Sequence, residues 1–568
     1  MSDFIIQLME DRRLCKNIDP LRYKELDNII RKEIKKARET HFKNKCEIME
    51  DLHNKHDSFN VHKNIKEMLG LKCSNLTSLA DTNGQLLFSI VAKKDRWLEY
   101  ISKMFEDPTR HLAMSLTGND TGPPIIKAEI LYALKLAKLG RTPGPDGIPV
   151  EVVKLLEGEN INLLKRLFNH IYDTGDLPTE WLRSTFITLP KKKNARKCEE
   201  YRTISLMSHV LKLFLTVIHN RIRSKCDEQL GDNQFGFRSG VGTREALFAL
   251  NVLVQKCQDM QNDVFLCFID YEKAFDKVKH DVLINRLIDT GLDENDLRVI
   301  RNLYKDQKAT VKVHHEETDE IGIYRGVRQG CILSPLLFNV YSEATISEAI
   351  EGLEVGVKVN GKIINNIRYA DDTVLIASSM DDLQMLVNKV HETSERDGLT
   401  INAVKTKVMV ISRNDTLVPN LSVAGRTLER VRQYKYLGTW VTNEWNPDQE
   451  IRSRIEIARG SFNKMKKVLC CRHMTIKLRV RLLLCYIWPI VLYGCEAWTI
   501  KEDTRRRLEA FEMWCYRRML RISWIQKVSN EKVLKRVGMS KNFCRTLNNG
   551  KLRTWATCCA MTATTSFN

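Results

Sequence analysis

Three textures along the 568 residues predict a mixed α+β fold. Up to about residue 115 the apolar residues recur at helical spacing, as in LRYKELDNIIRKEIKKARETHFKNKCEIMEDL. From about 120 to 440, short β-branched runs punctuated by Gly and Pro alternate with amphipathic helices such as LKLFLTVIHNRIRSK. From about 450 helices return, basic and rich in Arg, including RRRLEAFEMWCYRRMLRISW. After about 540 little apolar periodicity remains, and this tail is expected to fray. No repeat of solenoid period is evident.

Length and composition bound the function. With 43% hydrophobic residues, a chain this long exceeds a single core, so several subdomains are expected. The formal charge is +19, from 90 basic and 71 acidic side chains, and it is unevenly placed. Residues 451–568 hold 25 basic and 7 acidic groups, so +18 of the +19 sits there. A concentrated positive field suits a polyanion, most simply nucleic acid, with a solvated basic surface as the alternative. The 16 cysteines include no C-x-x-C pair and no Cys/His cluster at zinc-finger spacing, which predicts reduced intracellular thiols and no structural zinc. The start, MSDFIIQLMEDRRLCK, has no secretory signal pattern. LLLCYIWPIVLYG, at 482–494, is shorter than the roughly 20 apolar residues that cross a bilayer and reads as a buried helix, so no membrane partner is expected. RKEIKKAR, at 31–38, reads as a solvated helix face or as a nuclear localisation patch.

The acidic residues of the middle third carry the chemistry. IRYADDTVLIASS, at 367–379, sets Asp371 and Asp372 between two β-branched runs, at the tip of a predicted hairpin. A second acidic pair, Asp381 and Asp382 in SSMDDLQMLVNKV, falls in the first turn of an amphipathic helix, where carboxylates favour exposed N–H groups. An acidic pair alone therefore decides little. A hundred residues earlier, in VFLCFIDYEKAFDKV, the apolar run Val264 to Ile269 reads as a buried strand ending at Asp270. A salt bridge or a helix cap would account for one such acid. Three carboxylates converging from strand end and hairpin tip would repel one another unless a cation neutralised them. Hard oxygen donors suit Mg²⁺, and two such ions about 4 Å apart can serve phosphoryl transfer.

FIDYEKAFD, followed by YRGVRQGCILSPLLFNVY and then YADD, resembles the ordered signature of reverse transcriptases, in particular those of non-LTR, LINE-type retrotransposons. RTPGPDGIPVEVVK at 141–154, ITLPKKKNARKCEEYRTISLMSHVLKLF at 187–214, NQFGFRSGVGTREAL at 233–247, GLTINAVKTK at 398–407 and YKYLGTW at 434–440 agree with it. LYGCEAWTIKEDTRRRLEAFEMWCYRRMLRISW extends the likeness to about residue 530. The family's full-length members carry an N-terminal endonuclease domain, and this chain reads as beginning after it.

The resemblance implies a right-hand polymerase. Its fingers and palm, the palm an antiparallel sheet backed by helices, would span 120–445, with the core motifs at 171–442. A helical N-terminal region would occupy 1–119, a basic helical thumb and extension 446–540, and a disordered tail 541–568. Asp270, Asp371 and Asp372 would hold two Mg²⁺ ions, or Mn²⁺ in their place, with Asp372 the more peripheral ligand and a main-chain carbonyl of Ile269 or Tyr271 assisting. Phe275 would be the gate against a ribose 2′-hydroxyl, so that deoxynucleoside triphosphates (dNTPs) are the substrates. Arg202, with Lys191 or Lys192, would hold the triphosphate; Thr203 stands where the family usually has Pro. Gln329 and Gly330 would line the nucleotide site, with Ser334 and Pro335 setting the helix beneath it. Lys405 would be the general acid for pyrophosphate, with Lys407 a substitute. Tyr369, Tyr436, Leu437 and Gly438 would meet primer and template, although an aromatic strand in the core accounts equally well for YKYLGTW. Trp498, Trp514, Tyr516 and Trp524 would stack on bases or, as their helical spacing favours, pack internally. The implied partners are an RNA template and a DNA primer or target, in a cytoplasmic ribonucleoprotein and the nucleus. The rival is an inactive RNA- or DNA-binding descendant of such an element.

Overall fold

A computed structural model describes residues 3–16, 18–54, 79–111, 121–192, 194–359, 361–412, 420–472 and 474–539, with scattered positions between 57 and 67. The tail from 541 lies outside the described residues. The chain forms two compact units, one of residues 75–437 and one that joins the first 74 residues to the chain from Gly438 onward.

Residues 75–437 are built on two sheets. Their principal strands are β1 (Arg183–Pro190), β2 (Tyr201–Leu206), β3 (Val264–Ile269), β4 (Lys308–Val313), β5 (Asn366–Tyr369), β6 (Asp372–Ala377), β7 (Lys407–Ile411) and β8 (Glu429–Arg430). One sheet has the order β5-β6-β3-β7-β8, antiparallel except for the β7/β8 pair. In the other, β1 pairs antiparallel with β2 and parallel with β4. The main helices of the unit are α1 (Ile90–Phe105), α2 (His209–Glu228), α3 (Thr243–Asp259), α4 (Ser334–Ile350) and α5 (Met380–Arg396).

β3 is apolar throughout because it is central and covered on both faces; all six of its residues are buried. Phe265, Cys267 and Ile269 face one core with Leu375 and Val410 of the neighbouring strands and Leu383, Leu386 and Val390 of α5. On the other face Tyr434 stacks on Phe268, ring centres 4.3 Å apart. α5 begins as its sequence predicts. The Ser379 hydroxyl accepts a hydrogen bond from the Asp382 amide at 3.1 Å, and Asp381 and Asp382 lie in the first turn.

The sequence reading assigns everything before 120 to a helical N-terminal region, yet α1 belongs to the 75–437 unit. Its apolar stripe, Trp97, Ile101, Met104 and Phe105, is buried with Phe186 of β1, Val311 of β4 and Ile323. A short hairpin, Leu79–Ala80 with Leu86–Leu87, precedes it.

In the other unit, helices Asp3–Cys15 and Pro20–Asn54 lie before position 75, and helices Asp448–Lys464 and Glu502–Leu520 lie after 437. RKEIKKAR falls within Pro20–Asn54. LLLCYIWPIVLYG contributes a π-helical turn, Leu483–Ile487, and a short helix, Trp488–Val491, with Leu483, Ile487, Trp488 and Val491 buried. Among the described residues no helix is long and apolar enough to cross a membrane. Trp498 and Tyr516 are core residues of this unit, and Trp514 stacks on Phe511 with the Arg518 guanidinium over its ring. The side chain of Trp524 lies outside the described residues.

Candidate active site

The pairing register carries Asp270 to the hairpin tip. Thr373 of β6 stands opposite Ile269 of β3, so the next step along the antiparallel pair sets Asp372 opposite Asp270. Tyr369 pairs with Asp372, which leaves Ala370 and Asp371 as a two-residue turn. Ala370 takes a positive φ of 56°, and its amide donates to Gln234 Oε1 at 3.0 Å. Gly236 lies so close that a Cβ there would sit 2.4 Å from the Ala370 nitrogen. The strained tip is therefore held from outside by the NQFGFR segment.

Asp270 is anchored by the GLTINAVKTK segment. Its amide donates to Thr406 Oγ1 at 3.2 Å, and its carbonyl accepts from the Asn402 amide at 2.8 Å. The Asn402 side chain closes the turn that follows, accepting from the amides of Val404 and Lys405. Lys405 Nζ then lies 3.4 Å from Asp270 Oδ1. Lys407 instead bonds Glu429 and the Val404 carbonyl, each at 2.6 Å.

Asp371 and Asp372 feel the charge of Asp270. Burial raises the Asp371 carboxyl above the usual carboxylate range, and the charge of Asp270 adds to the rise while Arg202 opposes it. Burial, partial because the residue keeps an exposed face, and then repulsion from Asp371 and Asp270 push Asp372 up to about 6. No three His, Cys, Asp or Glu side chains among the described residues are posed around one point so as to ligate an ion; Asp270 is drawn to Lys405. The donor chemistry nonetheless fits Mg²⁺, which takes one or two carboxylates and completes its shell with phosphate oxygens and water. The repulsion that raises Asp371 and Asp372 is the condition that a divalent cation relieves.

Further cations and a row of aromatic rings belong to the same region. Arg202 on β2 stands in register with Leu189, and its charge acts on Asp371 and Asp276. Lys191 bonds the Glu199 carbonyl at 3.0 Å; burial and then the charges of Lys405 and Arg202 lower its ammonium pKa. Lys192 is turned to Glu200, 2.6 Å away. Thr203 pairs with Thr188 as an ordinary strand residue. Phe275 stacks on Phe338, ring centres 4.2 Å apart, and meets Phe237 edge-on; Phe237 in turn lies against Tyr369. An aromatic row thus joins Phe275 to the hairpin.

The GVRQGCILSP segment is stitched to both sides of this row. Val327 N donates to Phe275 O at 2.8 Å, Ser205 N donates to Gln329 O at 2.8 Å, and Ser334 Oγ donates to Arg328 O at 2.7 Å. Gly330 has φ 108°, and a Cβ there would sit 3.2 Å from Ser205 O. Pro335 opens α4 in its first turn. Tyr436 departs from its assigned part. It is 3% exposed with its ring against Phe268, so it serves the core, because an aromatic at the rim of a buried strand is worth more packed than solvated. Leu437 and Gly438 form the turn after it with φ 45° and 80°, and Gly438 is exposed.

Sequence reasoning missed Gln234, Asn402, Thr406 and Asp276. Asp276 is buried, and Gln329 Nε2 donates to its Oδ1 at 2.7 Å. Burial pushes its carboxyl up to about 6, against the pull of the Gln329 hydrogen bond and of Lys273, Lys191 and Arg202. The available signal was its place at the end of FIDYEKAFD, a polar residue at a position that the apolar pattern makes inward-facing.

Residues 189–441 match the family model described as reverse transcriptase (RNA-dependent DNA polymerase). The RNA-directed DNA polymerase from mobile element jockey of Drosophila funebris is 24% identical over 386 residues, covering 67% of this chain and 42% of the relative. The probable RNA-directed DNA polymerase from transposon BS of Drosophila melanogaster is 27% identical over 393 residues, covering 66% and 42%. The Pol polyprotein of the R2 element of Nasonia vitripennis is 27% identical over 355 residues, covering 60% and 33%. Among solved structures, Candida tropicalis telomerase bound to a fragment of telomeric RNA is similar at 13% identity over 70% of this chain and 65% of that one, with a TM-score of 0.37, too slight a likeness to fix a fold. The matched stretch, residues 189–441, is less than half of the 568-residue chain. The chain spans less than half the length of each of these three relatives.

Proposed function

We propose that the chain is an RNA-directed DNA polymerase that adds deoxynucleotides to a primer 3′-hydroxyl on an RNA template. The observation that carries this reading is the register that sets Asp372 opposite Asp270, one turn residue from Asp371, within a domain matching the reverse transcriptases. In the step, the primer 3′-oxygen attacks the α-phosphorus of a dNTP, and pyrophosphate leaves.

Asp270 and Asp371 would hold the metal, with Asp372 at its edge. When bound, a pair of Mg²⁺ ions would supply charge neutralisation at the α-phosphate and at the attacking and leaving oxygens. Arg202 and Lys191 would receive the β- and γ-phosphates. Lys405, exposed beside Asp270, would give its proton to the departing pyrophosphate. Phe275, backed by Phe338 and therefore unable to retreat, would exclude a 2′-hydroxyl. Gln329 and Gly330 would line the sugar and base, and Tyr369, Leu437 and Gly438 would meet the primer strand. The β3-centred sheet would be the palm, the β1/β2/β4 layer the fingers, and the helices after Gly438 the thumb.

The basic C-terminal region would bind nucleic-acid phosphates. Lys464, Lys466, Lys467, Arg472, Arg517, Arg518 and Arg521 line one groove that, among the described residues, includes no acidic side chain. Several are held in place by carbonyls: Arg521 bonds Cys470 O at 2.9 Å, and Arg517 bonds Val528 O at 2.7 Å. Contacts of this kind are indifferent to sequence and weaken with salt.

Primer extension on poly(rA) with oligo(dT), dTTP and Mg²⁺ tests the reading. Extension by the wild type that Asp371→Ala abolishes is the expected result. Salt-sensitive nucleic-acid binding with no extension would replace it with an inactive binding protein.

A further inference from the structure

Behind the acidic hairpin lies an ion pair that no step above uses. Arg368 of β5 and Glu343 of α4 are both buried, at 2% and 7% exposure, and Arg368 Nη2 donates to Glu343 Oε1 at 2.8 Å. Arg368 precedes the turn that holds Asp371 and stands opposite Thr373, which in turn stands opposite Ile269. Side chains alternate between the faces of a strand, so this row lies on the sheet face opposite to that of Asp372.

The pair is a poor stabiliser. Burial strips water from both charges, and their bonding is incomplete: among the described residues, Arg368 Nε and Nη1 and Glu343 Oε2 meet no hydrogen-bond partner. Apolar side chains of similar volume in both places would hold the fold as well or better. What the pair does fix is position. α4 starts just after the Gln329–Gly330 turn and carries Phe338, whose ring backs Phe275 with centres 4.2 Å apart. On the next residue, Asn339 Nδ2 donates to Gly236 O at 2.7 Å, and Glu343 stands one helical turn further on. β5 is the edge strand of its sheet, and the preceding segment holds its outer side: Arg368 N donates to Asn233 O and Phe235 N to Arg368 O, each at 2.8 Å. Glu343 therefore ties the helix that backs Phe275 to the strand that leads into Asp371. Gly231 leaves it room, since a Cβ there would sit 3.2 Å from Glu343 Oε1.

We propose that Arg368 and Glu343 are positioning residues whose buried ion pair sets the Asp371–Asp372 hairpin against Phe275, so that the metal-holding carboxylates and the nucleotide sugar keep one relative geometry. The proposal rests on the polymerase reading and names what holds its metal site in place.

The test is the double variant Arg368→Met/Glu343→Leu, which replaces the pair with apolar side chains of similar size. Its thermal melt is expected to match or exceed that of the wild type, and either single variant, which leaves one buried charge unpaired, should melt below it. Mn²⁺ binding to the double variant with primer–template and a non-hydrolysable dNTP analogue should weaken roughly 10- to 100-fold. Its single-turnover rate of dTTP addition should fall by a similar factor. A folded double variant that keeps the wild-type Mn²⁺ affinity or the wild-type rate would overturn the proposal. Where the double variant does not fold, Glu343→Gln carries the same comparison: loss of both affinity and rate supports the proposal, and retention of either, or failure to fold, overturns it. A wild type that extends no primer overturns the polymerase reading and this inference with it; extension by the wild type together with unaltered Mn²⁺ affinity in the double variant overturns this inference alone.

Discussion

Lys405 Nζ lies 3.4 Å from Oδ1 of Asp270, a cation set beside a candidate metal-holding carboxylate by the turn that Asn402 closes. The lysine side chain is 66% exposed, so its removal should leave stability within about 0.5 kcal/mol. Its proposed proton transfer predicts a different response in catalysis. Lys405→Ala should lower the single-turnover rate of nucleotide addition roughly 10²- to 10⁴-fold, with an unchanged melting temperature. Rapid-quench kinetics beside a thermal melt would check both.

Asp276 makes stability depend on pH. Its folded-state pKa, about 6, lies above the ordinary carboxylate value of 3.8, so the folded protein binds this proton more tightly than the unfolded chain. The cost of burying the charge is present above pH 6, shrinks as pH falls from 6 toward 4, and is absent below. Asp276→Asn should therefore stabilise the protein at pH 7.5, on the order of 1 to 3 kcal/mol, and give little gain near pH 4. Urea unfolding at the two pH values measures the difference.

Gly326 is confined by backbone. Its φ is 88°, and a Cβ would sit 2.7 Å from Asp276 O, an atom that cannot swing aside. Gly326→Ala should destabilise by roughly 2 to 4 kcal/mol. Chemical denaturation would show this as a lower midpoint at unchanged slope.

Phe275 is pinned by Phe338 behind it. Phe275→Val should admit a 2′-hydroxyl and raise the relative kcat/KM for rUTP over dTTP by roughly 10- to 100-fold. Competitive incorporation on poly(rA) reads the ratio.

In the basic groove, Lys466, Lys467 and Arg472 are exposed or half-buried. Replacing all three with Ala should reduce the slope of log binding constant against log salt by about one per residue. Fluorescence anisotropy with an RNA–DNA duplex, at several salt concentrations, measures it.

Much of this was legible in the chain. The run Val264 to Ile269 announced a central strand because burial on both faces leaves no polar position. The two acidic pairs were separable because Asp371–Asp372 interrupts a β-branched pattern and Asp381–Asp382 opens a helical one. What stayed hidden depends on contacts between distant stretches. Nothing in NQFGFR says that Gln234 will hold the Ala370 amide. Nothing around Ile90–Phe105 distinguishes a helix lying on the β1/β2/β4 layer from one in a separate region, since the same apolar stripe suits either. Tyr436 shows the same limit, because an aromatic in a strand fits a core and a nucleic-acid contact alike.

The most direct measurement is Mn²⁺ binding, followed by electron paramagnetic resonance, to the protein with primer–template and a non-hydrolysable dNTP analogue. Two bound ions are expected in the wild type, with loss of tight binding in Asp270→Asn and Asp371→Asn. Unaltered Mn²⁺ binding by both variants would contradict it.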